Sequence, residues 1–242
     1  MLIFYTMGIA EALHNVREKI VNAAVKAGRS PDEIKLVAVS KTVDIKSIKE
    51  AVRSGVSILG ENKVQEAVGK ITEFRATSPF IQGVIGGVEW HFIGNLQKNK
   101  AKTAVGLFDL IHSVDSVSLA EELNRCSGSM NKVQRVLVQV KLSDETAKHG
   151  IKEEEVIGLL EKVSKMDYLR LDGLMTIPPF SEDSELARPY FIRLRRLAEK
   201  ARTRGFNIAH LSMGMSNDFE VAIEEGATMV RVGSAIFGER NY

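Results

Sequence analysis

The sequence predicts a single-domain (β/α)8 barrel, and two regular features of the chain support this fold. Eight short apolar runs, each ending in small or polar residues, recur about every thirty residues. Between them lie amphipathic segments whose apolar residues return at three- and four-residue intervals, as on one face of a helix. Strict alternation of strand and helix indicates parallel strands with right-handed crossovers, and eight such units match a closed barrel. An open doubly wound sheet is the alternative.

The predicted strands cover residues 36–40, 57–60, 90–93, 110–114, 136–142, 169–177, 208–213 and 229–233. The predicted helices between them include residues 45–52, 64–74, 118–124, 153–163, 189–204 and 218–224. A further helix over residues 10–27 precedes the first strand, and Ser30-Pro31 marks the break between the two. A chain of 242 residues without a linker fits one barrel domain, residues 8–242, after an N-terminal extension over residues 1–7.

Composition limits the classes of partner and the compartment. The 33 basic and 31 acidic residues nearly cancel, and the basic run between Arg193 and Arg204 is interleaved with leucines at helical spacing. That spacing predicts a solvated helix face rather than a nucleic-acid site. A single cysteine, Cys126, excludes an internal disulfide and a multi-cysteine metal site, so we expect a reducing compartment, the cytoplasm. The apolar residues 1–6 are too few to span a membrane and lack the basic flank of a secretory signal.

Lys41 directly follows the first predicted strand, where the chain turns toward solvent. A lysine that burial holds neutral can condense with an aldehyde to form a Schiff base. The alternative is an ordinary solvated lysine at the end of a strand. In a barrel, the carboxyl ends of the strands carry the chemistry, so Lys41 is predicted to face whatever ligand this end binds.

Two loops at the same end have the composition of a phosphate site. Ser216 closes the sequence MGMS after the seventh strand, and Gly233 and Ser234 follow the eighth. Glycine permits close backbone approach, and backbone N–H groups and hydroxyls at a helix start bind phosphate. Alternatively, these are ordinary strand-to-helix turns in which Ser216 caps a helix. Together with Lys41, the two loops predict a phosphate-bearing aldehyde as the ligand.

Many spaced motifs between about residue 8 and residue 238 support a family resemblance. They are VAVSKT at 37–42, GEN at 60–62, VQE at 64–66, WHFIG at 90–94, IHSVDS at 111–116, KHG at 148–150, GLMTI at 173–177, SMGMS at 212–216 and VRVGSAIFG at 230–238. By these motifs the chain resembles the pyridoxal phosphate homeostasis proteins, a family related to the barrel domain of alanine racemase. The resemblance implies pyridoxal 5′-phosphate as the cofactor, carried by Lys41 as an internal aldimine.

The resemblance also implies roles for the other site residues. Ser216, Gly233 and Ser234 would surround the phosphate, and Arg231 would face the pyridine nitrogen. Asn62 could donate to the phenolic oxygen of the cofactor. Met213, together with Met215, is expected to pack around the cofactor. No catalytic residue and no metal site is expected.

Arg231 bears on the chemistry that such a site can support. A guanidinium can only donate a hydrogen bond, so it favours an unprotonated pyridine nitrogen and a weaker electron sink than a carboxylate would give. From the residues alone, a buried ion pair is the alternative for Arg231. His91 and His210 lie on predicted strands among apolar neighbours and are expected to be satisfied core residues.

These features predict a carrier that takes part in pyridoxal phosphate homeostasis and amino-acid balance, and that hands the cofactor to apo-enzymes. No tyrosine is well placed as a catalytic base, and residues 234–242 are too few for a second domain, which favours a monomer. Two alternatives stay open: a pyridoxal-phosphate-dependent racemase or lyase of small amino acids, and a cofactor-free aldolase that uses Lys41. No nucleic acid and no membrane is expected as a partner.

Overall fold

Eight parallel strands close into a barrel in this computed structural model, which describes residues 8–77, 87–143, 145 and 149–238. The strands are β1 (Lys35–Val39), β2 (Ile58–Glu61), β3 (Glu89–Phe92), β4 (Leu110–Val114), β5 (Gln134–Lys141), β6 (Ile151–Lys152), β7 (Leu169–Met175), β8 (His210–Met215) and β9 (Met229–Val232). The ring runs β1-β2-β3-β4-β5-β7-β8-β9, and β9 pairs with β1. The two-residue β6 pairs only with the end of β5. The closed barrel is confirmed over the open sheet.

The helices surround this ring. They are α1 (Ile9–Lys26), α2 (Ile45–Arg53), α3 (Val64–Thr77), α4 (Ala101–Leu107), α5 (Val117–Ser129), α6 (Val156–Val163), α7 (Arg188–Thr203), α8 (Phe219–Glu224) and α9 (Ser234–Phe237). The sequence did not predict α4, because its buried face consists of Ala101, Ala104 and Val105, whose small side chains give a weak apolar signal. The predicted extension over residues 1–7, the lysine of the KHG motif and residues 239–242 lie outside the described residues.

Side-chain caps start two of the helices that follow strands, α2 and α5. Asp44 accepts a hydrogen bond from the backbone N–H of Ser47 at 3.0 Å and begins α2. Ser116 accepts from the N–H of Leu119 at 3.3 Å and begins α5. Each cap satisfies a backbone donor that the helix itself leaves unpaired. The cap at Asp44 thereby limits the turn between β1 and α2, which contains Lys41, to a few residues.

Two apolar regions hold the barrel together. The larger lies between the strands and the helices and includes Trp90, Phe92 and Phe108. The smaller fills part of the barrel interior, with Val37, Leu137 and further residues of the strands. Successive residues of a strand point to opposite sides, so Trp90 packs outward under the helices while His91 points into the barrel. The interior therefore contains both an apolar cluster and buried polar side chains.

Three of the six basic residues of α7 form ion pairs. Arg188 contacts three carboxylates, Arg193 pairs with Glu153, and Arg195 pairs with Glu225. This pairing neutralises much of the positive charge that the sequence places along the helix. In the described part of the chain, no helix combines the length and the apolarity needed to cross a membrane.

Candidate functional site

A cavity of about 750 Å³ opens at the carboxyl ends of the barrel strands. Strand ends and the loops that follow them form its wall, as the barrel fold requires. Six of the seven predicted site residues line it, and they come from four separate strand ends: Lys41, Asn62, Ser216, Arg231, Gly233 and Ser234. The lysine and both predicted phosphate loops therefore share one cavity.

Met213 is the predicted residue that the structure does not bring to this cavity. It is fully buried in the outer core, between the strands and the helices. Its neighbour Ser212 points into the barrel, so the pleat of β8 turns Met213 away from the cavity. Met215 lines the cavity instead.

A cluster of buried charges lies behind Lys41 and holds the turn that contains it. The ammonium group of Lys70 donates to the backbone carbonyl of Ser40 and to the carboxylates of Glu61 and Glu66. Glu66 also accepts the backbone N–H of Thr42, which has a left-handed φ of 60°. A β-branched residue rarely adopts that conformation, so surrounding contacts must hold it. The residues on both sides of Lys41 are thus fixed to α3.

The pKa values of the two carboxyl groups of this cluster are shifted in opposite directions. Burial raises the pKa of Glu61, although Ser40 and Lys70 act to lower it. Burial also acts to raise the pKa of Glu66, but hydrogen bonds from Lys70 and from the backbone of Thr42 outweigh it and lower that pKa. Ser40 donates its hydroxyl to Glu61 at 2.6 Å. Lys70 therefore binds two carboxyl groups that differ in proton affinity.

Asn62 gives the cavity wall an unsatisfied polar group. Its amide oxygen is shielded from solvent and has no hydrogen-bond partner among the described residues. The loop after β3 packs directly on it, because a Cβ at Gly94 would lie 2.1 Å from the backbone oxygen of Asn62. Buried polar atoms are nearly always paired, so this amide fits a site in which a ligand supplies the partner.

Ser216 joins the two loops that the sequence predicts to bind phosphate. Its hydroxyl oxygen accepts the backbone N–H of Gly233 at 3.2 Å and that of Ala235 at 3.5 Å. Gly214 permits the end of β8 to pack closely on α8, since it has a φ of 91° and a Cβ there would lie 2.8 Å from the Cα of Phe219. Backbone N–H groups and the hydroxyls of Ser216 and Ser234 thus converge at one end of the cavity.

Arg231 lies at the bottom of the cavity and is 3% exposed. It donates to the hydroxyl oxygen of Ser212 at 2.6 Å and to the backbone carbonyl of Thr176 at 2.9 Å. Both acceptors are neutral oxygens, which disfavours the buried ion pair as the reason for this residue. Burial lowers the pKa of Arg231 to about 10, against the charge of Asp218, so the guanidinium stays charged at neutral pH.

Several cavity residues were not predicted from the sequence. Gln139 lies at the end of β5 and donates its amide to the backbone oxygen of His149, and both line the cavity. His149 belongs to the KHG motif, which could have pointed to it. Residues 177–184 contribute a further part of the wall, including the exposed ring of Phe180. Among the described residues, no group of His, Cys, Asp and Glu side chains is arranged to bind a metal ion.

Known proteins share both the sequence and the fold of this chain. Residues 12–241 match the family described as alanine racemase, N-terminal domain. The chain is 43% identical over 238 residues to a pyridoxal phosphate homeostasis protein of Aquifex aeolicus, covering 98% of this chain and 100% of that protein. It is 43% identical over 236 residues to the protein of that name from Escherichia coli K12, covering 97% of each. The solved structure of PipY from Synechococcus elongatus with PLP bound is 34% identical, with a TM-score of 0.81, and covers 95% of this chain and 100% of PipY.

Proposed function

The chain belongs to the family of pyridoxal phosphate homeostasis proteins, and on that premise we propose that it binds pyridoxal 5′-phosphate in the carboxyl-end cavity and helps to control the supply of this cofactor. One observation carries the proposal. A lysine, a converging set of anion donors and a buried guanidinium line a single cavity. This is the set of groups that an aldehyde, a phosphate and a pyridine nitrogen require.

Each group of the cofactor has a matching residue. The amine of Lys41 would hold the aldehyde carbon covalently, as an internal aldimine, while Ser216, Gly233 and Ser234 hold the phosphate. Arg231 would donate to the pyridine nitrogen. The amide oxygen of Asn62 has no partner among the residues that the structure describes, which supports a polar contact to the phenolic oxygen, because an amide can present either its oxygen or its NH2 to a ligand. Met215, rather than Met213, lies where a side chain would pack against the ring.

The same residues favour a carrier over an enzyme. Pyridoxal phosphate supplies an electron-withdrawing ring, and its strength depends on the group that faces the pyridine nitrogen. Arg231 retains its proton and can only donate, so it leaves that nitrogen unprotonated and the ring a weak electron sink. The two described tyrosines also lie away from the cavity: Tyr168 precedes β7 at the amino end, and Tyr190 packs against the outer core from α7.

A carrier must deliver its cofactor to a recipient protein in the same compartment. We propose that apo-enzymes receive the cofactor from this protein, which works as a monomer in the cytoplasm. The exposed side chain of Phe180 and the open mouth of the cavity support transfer, because a bound cofactor would be accessible from solvent. The single buried thiol, Cys126, is compatible with a reducing compartment.

The test separates a carrier from the two alternatives. Purified protein is loaded with pyridoxal phosphate, freed of excess, and mixed either with an apo-transaminase or with a panel of amino acids in deuterated water. We expect the apo-transaminase to gain activity and the α-protons of the amino acids not to exchange at an enzymatic rate. Sustained exchange or turnover of any amino acid would overturn the carrier and favour a racemase or lyase. If the protein does not take up pyridoxal phosphate, the cofactor-free aldolase that uses Lys41 would be the remaining alternative.

A further inference from the structure

A chain of side-chain hydrogen bonds crosses the barrel interior from Arg231, in the cavity, to Glu89 at the amino end. Arg231 Nη1 lies 2.6 Å from Ser212 Oγ, which lies 2.9 Å from His112 Nδ1. His112 Nε2 lies 3.0 Å from His91 Nδ1, and His91 Nε2 lies 3.1 Å from Glu89 Oε2. Ser212, His112 and His91 are completely buried. We call these five residues the interior relay.

The two ends of the interior relay fix the direction of every hydrogen bond in it. A guanidinium only donates, so Ser212 accepts from Arg231 and its own proton is available to His112 Nδ1. An ionised carboxylate only accepts, so the Nε2–H of His91 donates to Glu89. A neutral His91 then accepts at Nδ1, which requires His112 to donate from Nε2. The assignments made from opposite ends agree, and both histidines carry their proton on Nε2.

The surroundings favour the neutral histidines that this direction needs. Burial lowers the pKa of His91, and it lowers the pKa of His112 well below its usual range, where the positive charge of Arg231 acts in the same sense. The carboxylate at the outer end stays ionised, because the hydrogen bond with His91 and the charge of Arg135 lower the pKa of Glu89 to about 2. Asp109 and Lys35 also face this end, with opposite charges.

We propose that Ser212, His112 and His91 are positioning residues that hold the guanidinium of Arg231 in one orientation toward the cofactor cavity. This inference rests on the proposed function for its effect on the cofactor. Two fixed acceptors, the Ser212 hydroxyl and the Thr176 carbonyl, hold the two terminal nitrogens of Arg231 and so fix the plane of the group. In the relay the Ser212 hydroxyl donates its hydrogen bond to His112 Nδ1. Its oxygen therefore stays oriented to accept the hydrogen bond from Arg231.

The first experiment reads the relay directly and needs no cofactor. In 15N-labelled protein, two-bond proton–nitrogen correlations report which imidazole nitrogen carries the proton. We expect His112 and His91 to be neutral at neutral pH, each with its proton on Nε2. A proton on Nδ1 of either ring, or a doubly protonated ring, would reverse a bond of the relay and overturn the inference.

The second experiment measures the effect at the cavity with a matched pair of serine variants. Ser212→Ala removes the acceptor of Arg231, whereas Ser113→Ala removes a buried hydroxyl that has no hydrogen-bond partner among the described residues. We expect Ser212→Ala to shift the visible band of bound pyridoxal phosphate and to weaken its binding about threefold to tenfold. Ser113→Ala should change neither the band nor the affinity.

The outcomes separate this inference from the proposed function. Wild-type band position and affinity in Ser212→Ala, or equal changes in both variants, would show that the relay does not position Arg231. Unfolding temperatures of both variants identify a change that reflects packing alone. If the wild-type protein fails to bind pyridoxal phosphate, the proposed function fails, while the positions of the imidazole protons still decide whether the relay exists.

Discussion

The two ends of the barrel use charged and polar residues in opposite ways. At the amino end, Arg135 pairs with Asp172 at 2.7 Å and with Glu89 at 3.1 Å, and Arg170 pairs with the second oxygen of Asp172 at 2.8 Å. At the carboxyl end, a cavity is lined by the Asn62 amide, whose oxygen has no hydrogen-bond partner in the described part of the chain, and by a guanidinium whose acceptors are neutral. The amino end is closed by charges that satisfy each other. The carboxyl end retains polar groups that a ligand can satisfy.

This difference suggests a division of labour along the barrel axis. Apart from Glu89, which belongs to the interior relay, substitutions at the amino end should lower the stability of the fold and leave ligand binding intact. Substitutions among the cavity residues should do the reverse. The charge cluster around Lys70 is the exception, because it is a paired network of the amino-end kind at the carboxyl end, directly behind Lys41. It should therefore affect both properties.

The largest loss of stability from a substitution is expected from Lys70→Met. The change leaves the carboxylates of Glu61 and Glu66 without their cation. It also removes the hydrogen bond from Lys70 to the backbone carbonyl of Ser40, next to Lys41. Removing one partner of a buried ion pair typically costs 3–5 kcal/mol, and we expect about 3 kcal/mol in chemical denaturation because Glu66 is partly exposed. Covalent attachment at Lys41 should also slow. Lys46→Met, an exposed lysine of α2, is the control, and equal losses in both variants would contradict this account.

At the amino end, Asp172→Asn should cost about 2 kcal/mol of unfolding free energy, because Arg135 and Arg170 lose the charge that they share. The affinity for pyridoxal phosphate should stay at the wild-type value. Asp167→Asn, at an exposed site before β7, is the matched control and should leave stability within about 0.5 kcal/mol of wild type. A loss of cofactor affinity in Asp172→Asn, measured by fluorescence titration, would break the proposed division.

At the carboxyl end, Ser216→Ala combined with Ser234→Ala should weaken the binding of pyridoxal phosphate by well over tenfold. Hydrogen bonds to a charged group contribute about 1.5–3 kcal/mol each, and this variant removes the two hydroxyls that we propose donate to the phosphate. Pyridoxal without phosphate should bind the variant and the wild type about equally. If the double variant keeps the wild-type preference for the phosphorylated form, the anion binds elsewhere.

The stability of the fold should also depend on pH. Burial lowers the pKa of His210 from 6.5 to about 4, and it also lowers the pKa values of His91 and His112. Below pH 6.5 these histidines bind protons in the unfolded chain but stay neutral in the folded protein. The unfolding free energy therefore falls as the pH decreases. The contribution of His210 is fully lost only below about pH 4.

Thermal unfolding followed by circular dichroism between neutral and mildly acidic pH checks this direction. The unfolding temperature should decrease steadily as the pH falls below 6.5, and His210→Asn should decrease less. A temperature that stays constant or rises over this interval would show that these histidines do not remain neutral in the fold.

The sequence predicted the elements whose signals are local. The apolar runs and helical spacings identified the eight barrel strands, and barrel geometry then placed Lys41 and the loops at Ser216 and Gly233 at one end. The sequence did not indicate that Met213 lies in the outer core while Met215 lines the cavity. The register between β8 and β9 shifts between Ser212 and Met215, so a single polarity pattern does not carry through this strand.

The interior relay could not be predicted, because its members are far apart in the chain. His91 and His112 are separated by 21 residues, and His112 and Ser212 by 100. Each histidine taken alone has apolar neighbours and indicates a core position. Only the closed barrel brings strands β3, β4 and β8 close enough for these side chains to meet across the interior.

Reductive trapping of the cofactor tests the central claim most directly. The protein is incubated with pyridoxal 5′-phosphate, reduced with borohydride and digested, and the peptides are mapped by mass spectrometry. Because Lys41 follows β1 and shares its cavity with both phosphate loops, we expect the pyridoxyl group on Lys41 and no visible band in Lys41→Ala. A pyridoxyl group found chiefly on Lys63 or Lys141 would contradict the account.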